Sequence, residues 1–71
     1  MINGVKLKNI DKFELDLINS YYCIHLYYSD AFNNDFGSIL IYHTQDFNEA
    51  IKKYDDLVDQ LYIYKYRGDL C

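Results

Sequence analysis

Asp46-Phe47-Asn48-Glu49-Ala50-Ile51-Lys52-Lys53-Tyr54-Asp55-Asp56-Leu57-Val58-Asp59-Gln60-Leu61 is the stretch on which the fold turns. Asp46 offers a side-chain oxygen to the unpaired N–H groups of a first helical turn, and Glu49 three residues later completes a capping-box pattern. At about 100° per residue, Phe47, Ala50, Ile51, Tyr54, Leu57, Val58 and Leu61 fall within an arc of roughly 120°. Glu49, Lys52, Lys53, Asp55, Asp56 and Asp59 take the opposite side. The stretch therefore reads as an amphipathic helix, and a helix with one apolar stripe must bury it against a second layer.

The flanking sequence supplies that layer. Val5-Lys6-Leu7-Lys8 and Phe13-Glu14-Leu15-Asp16-Leu17 alternate apolar and polar residues, the period of a half-buried strand. Asn19-Ser20 is a turn, and Tyr21-Tyr22-Cys23-Ile24-His25-Leu26-Tyr27-Tyr28 is a β-compatible run that completes a hairpin. Ser29 to Phe36 holds Asp30, Asn33, Asn34 and Asp35 and reads as a loop, Gly37 marks its exit, and Ser38 to His43 is the next strand. After the helix, Tyr62-Ile63-Tyr64-Lys65-Tyr66-Arg67 returns to period two and reads as a last strand, stopped by Gly68-Asp69. The expected fold is a single α+β domain over residues 1–71, with an antiparallel sheet of four to five strands, one helix on one sheet face, and an order close to β-β-β-β-α-β.

Alternation then sorts the strand residues. Phe13, Leu15, Leu17, Tyr22, Ile24, Leu26, Ile39, Ile41 and Ile63 fall on the side that the helix covers. Tyr21, Cys23, His25, Tyr27, Leu40, Tyr42, Tyr62, Tyr64 and Tyr66 fall on the other. One helix cannot cover both faces, so Tyr21, Tyr27, Tyr42, Tyr62, Tyr64 and Tyr66 would form an apolar patch with hydroxyl handles, the composition of a contact surface. The plainer account is that tyrosines are good strand formers tolerated at a surface.

Composition narrows the function classes. The 71 residues are 51% apolar and 25% charged, which suits a globular chain, and 18% aromatic, with nine Tyr, four Phe, no Trp and no Pro. Seven basic against eleven acidic residues give a net charge of −4, which works against wrapping a phosphate backbone. The carboxylates of Asp30, Asp35, Glu49, Asp55, Asp56 and Asp59 are either a solvated surface with helical pairs such as Glu49 to Lys53, or a phosphate-like surface for a basic groove. There is no glycine-rich phosphate loop, no nucleophile elbow, and no Ser or Cys with an evident His partner, so the chain reads as non-catalytic. Cys23, His25 and His43 match no zinc spacing, and Asp30 to Gly37 lacks the alternating ligands of a calcium loop. No cofactor is expected. Two cysteines, Cys23 and Cys71, cannot form the disulfide framework of a small secreted scaffold. No segment is long and apolar enough for a signal-peptide core or a membrane span, so a cytoplasmic protein is expected.

Small size, richness in Tyr, Asn, Ile, Lys and Asp, acidity and the lack of a catalytic motif together resemble the small inhibitors that bacteriophages of AT-rich hosts encode against host defences, the anti-CRISPR proteins among them. The resemblance is one of general character across the whole chain. It rests on no motif, and no residue role is carried over. It implies a cytoplasmic protein that binds, stoichiometrically, a larger and basic host enzyme such as a CRISPR effector. Two other classes stay open: a homo-oligomeric structural or regulatory subunit, homodimeric through the tyrosine face, and a single-strand nucleic-acid binder using Tyr62, Tyr64 and Tyr66 beside Lys65 and Arg67.

Overall fold

The computed structural model of the chain describes residues 1–67. Gly68 and Asp69, read above as a strand stop, and Cys71 lie outside the described residues. The fold is α+β: three antiparallel strands, β1 (Ile10–Ile18), β2 (Tyr21–Asp30) and β3 (Asp35–Thr44), lie in the order β1-β2-β3, and one helix, α1 (Phe47–Arg67), packs on one face. β1 and β2 join through Asn19 (φ 51°) and Ser20 (φ 71°), a two-residue turn whose positive φ angles match the twist of a hairpin. β2 and β3 join through residues 31–34. There the Asp30 carboxylate accepts bonds from the Asn33 backbone N–H (3.3 Å) and side-chain amide (2.7 Å), a local brace typical of Asx turns.

Two of the expected strands are absent among the described residues. Val5 to Lys8 does not join the sheet. Ile2 and Val5 exchange both backbone hydrogen bonds at 2.9 Å around Asn3 (φ 50°) and Gly4 (φ 83°), and a 3-10 turn follows at Leu7–Asn9. The Asn3-Gly4 pair, suited to positive φ, folds the segment back on itself, and Ile2, Val5 and Leu7 pack against the core from there. The second correction concerns Tyr62 to Arg67, which extend α1 instead of starting a strand. No glycine or proline separates Leu61 from this tail, and lengthening an existing helix gains one hydrogen bond per residue fixed, while a new strand must first find an edge.

The inward stripe of α1 is Ala50, Tyr54, Leu57, Leu61 and Tyr64, at alternating spacings of four and three. Ala50, Leu57 and Leu61 are buried, the Tyr54 hydroxyl donates to the Phe13 carbonyl at 3.4 Å, and Tyr64 is less exposed than Tyr62, Ile63 and Tyr66. This stripe meets Ile10, Phe13, Ile24 and Leu26, of which Ile24 and Leu26 have no accessible surface. Leu17 and Ile63, expected in the core, are exposed. Leu17 sits at the turn end of β1, and Ile63 lies on a part of the helix that no sheet residue covers.

A bulge decides which residues of β3 face the helix. Ile24 pairs with Tyr42 and His25 with Leu40, so Ile41 is one residue in excess. A residue inserted in one strand reverses the alternation beyond it. Ile41 and Tyr42 both pack on the helix-side core, and His43 passes to the open side, opposite Cys23. Tyr42 is therefore not on the uncovered face where simple alternation put it.

The start of α1 is also fixed by side chains. Asp46 Oδ1 accepts from the backbone N–H of Asn48 (2.9 Å) and Glu49 (3.3 Å), as an N-cap should. Glu49 does not return the bond to Asp46. The Asp46 N–H goes to Thr44 Oγ1 (3.1 Å), while the Glu49 carboxylate accepts from the Tyr42 hydroxyl (2.7 Å) and from the Thr44 hydroxyl (3.4 Å). Half of the expected capping box forms, and its other half ties the helix to β3.

Candidate functional site

Two surfaces hold the residues singled out by the sequence. The first is the sheet face that α1 leaves open. Its side chains lie in cross-strand rows: Lys12, Tyr27 and Ser38; Glu14, His25 and Leu40; Asp16, Cys23 and His43. Tyr21 stands edge-on to the His43 ring at 5.6 Å between centroids, and Cys23, a free thiol, is only 7% exposed. Lys12 Nζ is 3.4 Å from Glu14 and 5.0 Å from the centre of the Tyr27 ring. The Tyr27 hydroxyl, donating to Glu14, is the main cause that holds the Glu14 carboxyl below its ordinary value, with Lys12 adding to the effect; the same bond raises the Tyr27 phenol. His25 Nδ1 is 3.5 Å from Asp16 Oδ2 and is shut from solvent without a hydrogen bond.

Only Tyr21 and Tyr27 of the six candidate tyrosines occupy this open face. Tyr42 is on the helix side, and Tyr62, Tyr64 and Tyr66 are on α1. The face is thus less aromatic and more charged than expected, with Glu14 and Asp16 facing outward as the alternation of β1 requires. His43 was not legible as a member, because nothing in the sequence marks the bulge at Ile41. Phe36, read above as part of a loop, lies in β3 and on this face, 60% exposed opposite Ser29.

The second surface is the solvent side of α1. Asp55, Asp59, Tyr62 and Tyr66 fall within an arc of about 60° on the helical wheel, and all four are exposed. Tyr62 and Tyr66 are 59% and 67% exposed and lie against each other at 4.6 Å between ring centroids. Asp56 flanks this strip and accepts a bond from the Gln60 amide at 3.1 Å. Among the described residues, no basic side chain comes within ion-pair distance of Asp55, Asp56 or Asp59. Continuation of the helix through residue 66 unites in one strip two groups that the sequence assigned to different elements.

The other acidic candidates lie apart. Glu49 is engaged by Tyr42 and Thr44, and raises the Tyr42 phenol above its ordinary value through their hydrogen bond. Asp30 and Asp35 face each other at the mouth of the β2–β3 loop, with the Asp30 carboxyl lowered mainly by the Asn33 side-chain bond. They border a cleft of about 400 Å³ shared with Lys6, Lys8 and Tyr28. Phe32, at the loop tip, is 98% exposed.

Among the described residues, no group of three His, Cys, Asp or Glu side chains converges as metal ligands would. No described helix is long and apolar enough to cross a membrane. The chain matches no protein-family model, no curated protein and no solved structure.

Proposed function

We propose that the chain is a non-catalytic protein-binding module, of the small phage-inhibitor type, that docks on a larger and basic nucleic-acid-handling partner. The observation that carries this reading is the exposed strip Asp55, Asp59, Tyr62 and Tyr66, with Asp56 beside it. Tyrosine brings large contact area at low entropic cost and is enriched where binding energy concentrates. The carboxylates next to it, none of them in an ion pair among the described residues, supply steering toward cationic surfaces. A ladder of carboxylates along a helix also presents negative charge at intervals, as a nucleic-acid backbone does, so a groove that binds phosphates suits it. The same carboxylates repel phosphate, which makes direct binding of single strands through Tyr62 and Tyr66 the weaker reading.

The test is a stoichiometric capture from host lysate with the wild-type chain, run beside Asp55→Lys/Asp59→Lys and beside Tyr62→Ala/Tyr66→Ala. The reading expects one basic enzyme to be retained by the wild type and lost by both double variants. Equal capture by all three chains would remove the helix strip as the binding surface.

A further inference from the structure

We propose that the open sheet face is an isologous interface between two copies of this chain, giving a four-layer molecule with both sheets inside and both helices outside. The inference concerns the face opposite the helix strip, and so stands or falls separately from the partner reading. Its first ground is charge. One pair of opposite charges already lies within the face, Lys12 with Glu14 and the Tyr27 ring, and Asp16 Oδ2 lies 3.5 Å from His25 Nδ1. Covering the face would therefore bury Lys12 and Glu14 as a pair, and an unpaired charge is the case that burial tolerates least.

The charges are also distributed unevenly across the strands. β1 brings Lys12, Glu14 and Asp16 to the face, while the β3 ends of the same rows are Ser38, Leu40 and His43. A two-fold axis running along β2, between the two sheets, lays β1 of each copy over β3 of the other. Since Asp16, Cys23 and His43 share one row, this axis sets each Asp16 over the other copy's His43, twice by symmetry, lays Glu14 over Leu40 and Lys12 over Ser38, and brings Cys23, His25 and Tyr27 against their own copies. An axis perpendicular to the strands would instead stack β1 on β1 and bring Glu14 against its own copy. An isologous contact needs this kind of self-complementarity, in which residue i meets j and j meets i.

The second ground is area. Three strands spaced by about 4.8 Å, each about nine residues long at about 3.3 Å per residue, present a face of roughly 14 by 30 Å, or about 430 Å² in projection. Counted on both copies this is about 860 Å² in flat projection, to which the relief of protruding Leu40 and Phe36, 48% and 60% exposed, adds, and contacts below ~1,200 Å² belong to weak, transient association. Aligned packing of two such sheets, about 10 Å apart, is the ordinary geometry of a β-sandwich.

Sedimentation equilibrium of the full chain under reducing conditions tests this. The expected mass at tens of micromolar is about twice the 8.5 kDa of the chain. Leu40→Arg, in the central row, should weaken self-association by ~30-fold or more with an unchanged helical circular dichroism signal. Asp16→Lys should weaken it too, by removing the acceptor set over His43, and adding His43→Asp should restore it by supplying a Lys–Asp pair across the two copies. Tyr62→Ala, on the far side, should leave the mass unaltered. A wild-type chain that stays monomeric up to millimolar concentration overturns the proposal and leaves the face to a different protein. A dimer that Tyr62→Ala dissociates and Leu40→Arg does not would overturn it equally, by placing the interface on the helix.

Discussion

Tyr42 shows how much a single inserted residue can redirect. By alternation from Ile39 and Ile41 it belongs on the open face; with Ile41 in excess opposite Ile24 it instead turns under the helix and donates to Glu49 at 2.7 Å. Lys53 stands 5.7 Å from the centre of its ring, so the residue read as a partner anchor closes the joint between β3 and α1. Because its phenol is raised above 10.0 in the folded chain, folding favours the protonated form. The contribution is complete below the unfolded value near 10 and fades as pH rises through the higher folded value. Tyr42→Phe should therefore lower the melting temperature at pH 7 and also flatten its decline above about pH 10, read by thermal unfolding across that range. A decline as steep as the wild type's would show that the Tyr42–Glu49 bond does not contribute. No residue pattern around positions 40–43 announces the bulge, since Ser38-Ile39-Leu40-Ile41-Tyr42 is apolar at four successive positions and tolerates either register.

The elements divide by how strongly local sequence constrains them. β2 and the beginning of α1 were legible: the first has turn formers at both ends, and the second has Asp46 as its cap and apolar residues at helical spacing. The end of α1 was not legible. Tyr62, Ile63, Tyr64 and Tyr66 are apolar on both a period of two and a period of 3.6, and the choice falls to what precedes them, a helix already formed. A substitution separates the two outcomes. In a strand packed under the helix, Ile63→Ala would remove a core side chain and cost about 2–5 kcal/mol. On the exposed side of a helix it should leave stability within about 0.5 kcal/mol of wild type, because alanine has the higher helix propensity and little buried area is lost. Denaturant unfolding of this one variant reads the difference. The tail matters beyond stability, since only a continuous helix brings Tyr62 and Tyr66 into line with Asp55 and Asp59.

At the scale of the whole molecule, one helix and three strands leave two broad surfaces uncovered, and their chemistry differs. The open sheet face pairs Lys12 with Glu14 and sets Asp16 beside His25, which suits a contact sealed from water. The helix strip has carboxylates that make no ion pair among the described residues, although Lys52 and Lys53 border the same cleft as Asp55, Asp56 and Asp59, and free carboxylates suit long-range attraction. The net charge of −4 acts through the second. Asp55→Lys with Asp59→Lys moves the formal charge by two units at each site, from −4 to zero, without touching the buried stripe of α1. Association with a cationic partner at low salt should slow by about tenfold or more in this variant, with dissociation little changed. The gap should narrow as ionic strength rises and the screening length shrinks toward about 8 Å near 0.15 M. Tyr62→Ala with Tyr66→Ala should do the reverse, speeding dissociation while leaving the salt dependence of association in place, because those rings act at contact and not at a distance. Stopped-flow rates over a salt series distinguish the two. If both double variants changed only the dissociation rate, the carboxylates would be short-range contacts, and steering by the acidic helix would be wrong. If the chain is also the proposed dimer, its two helices lie on opposite outer faces, and a partner with two basic sites would lose bivalent binding in Leu40→Arg while the rate of the first encounter stayed the same.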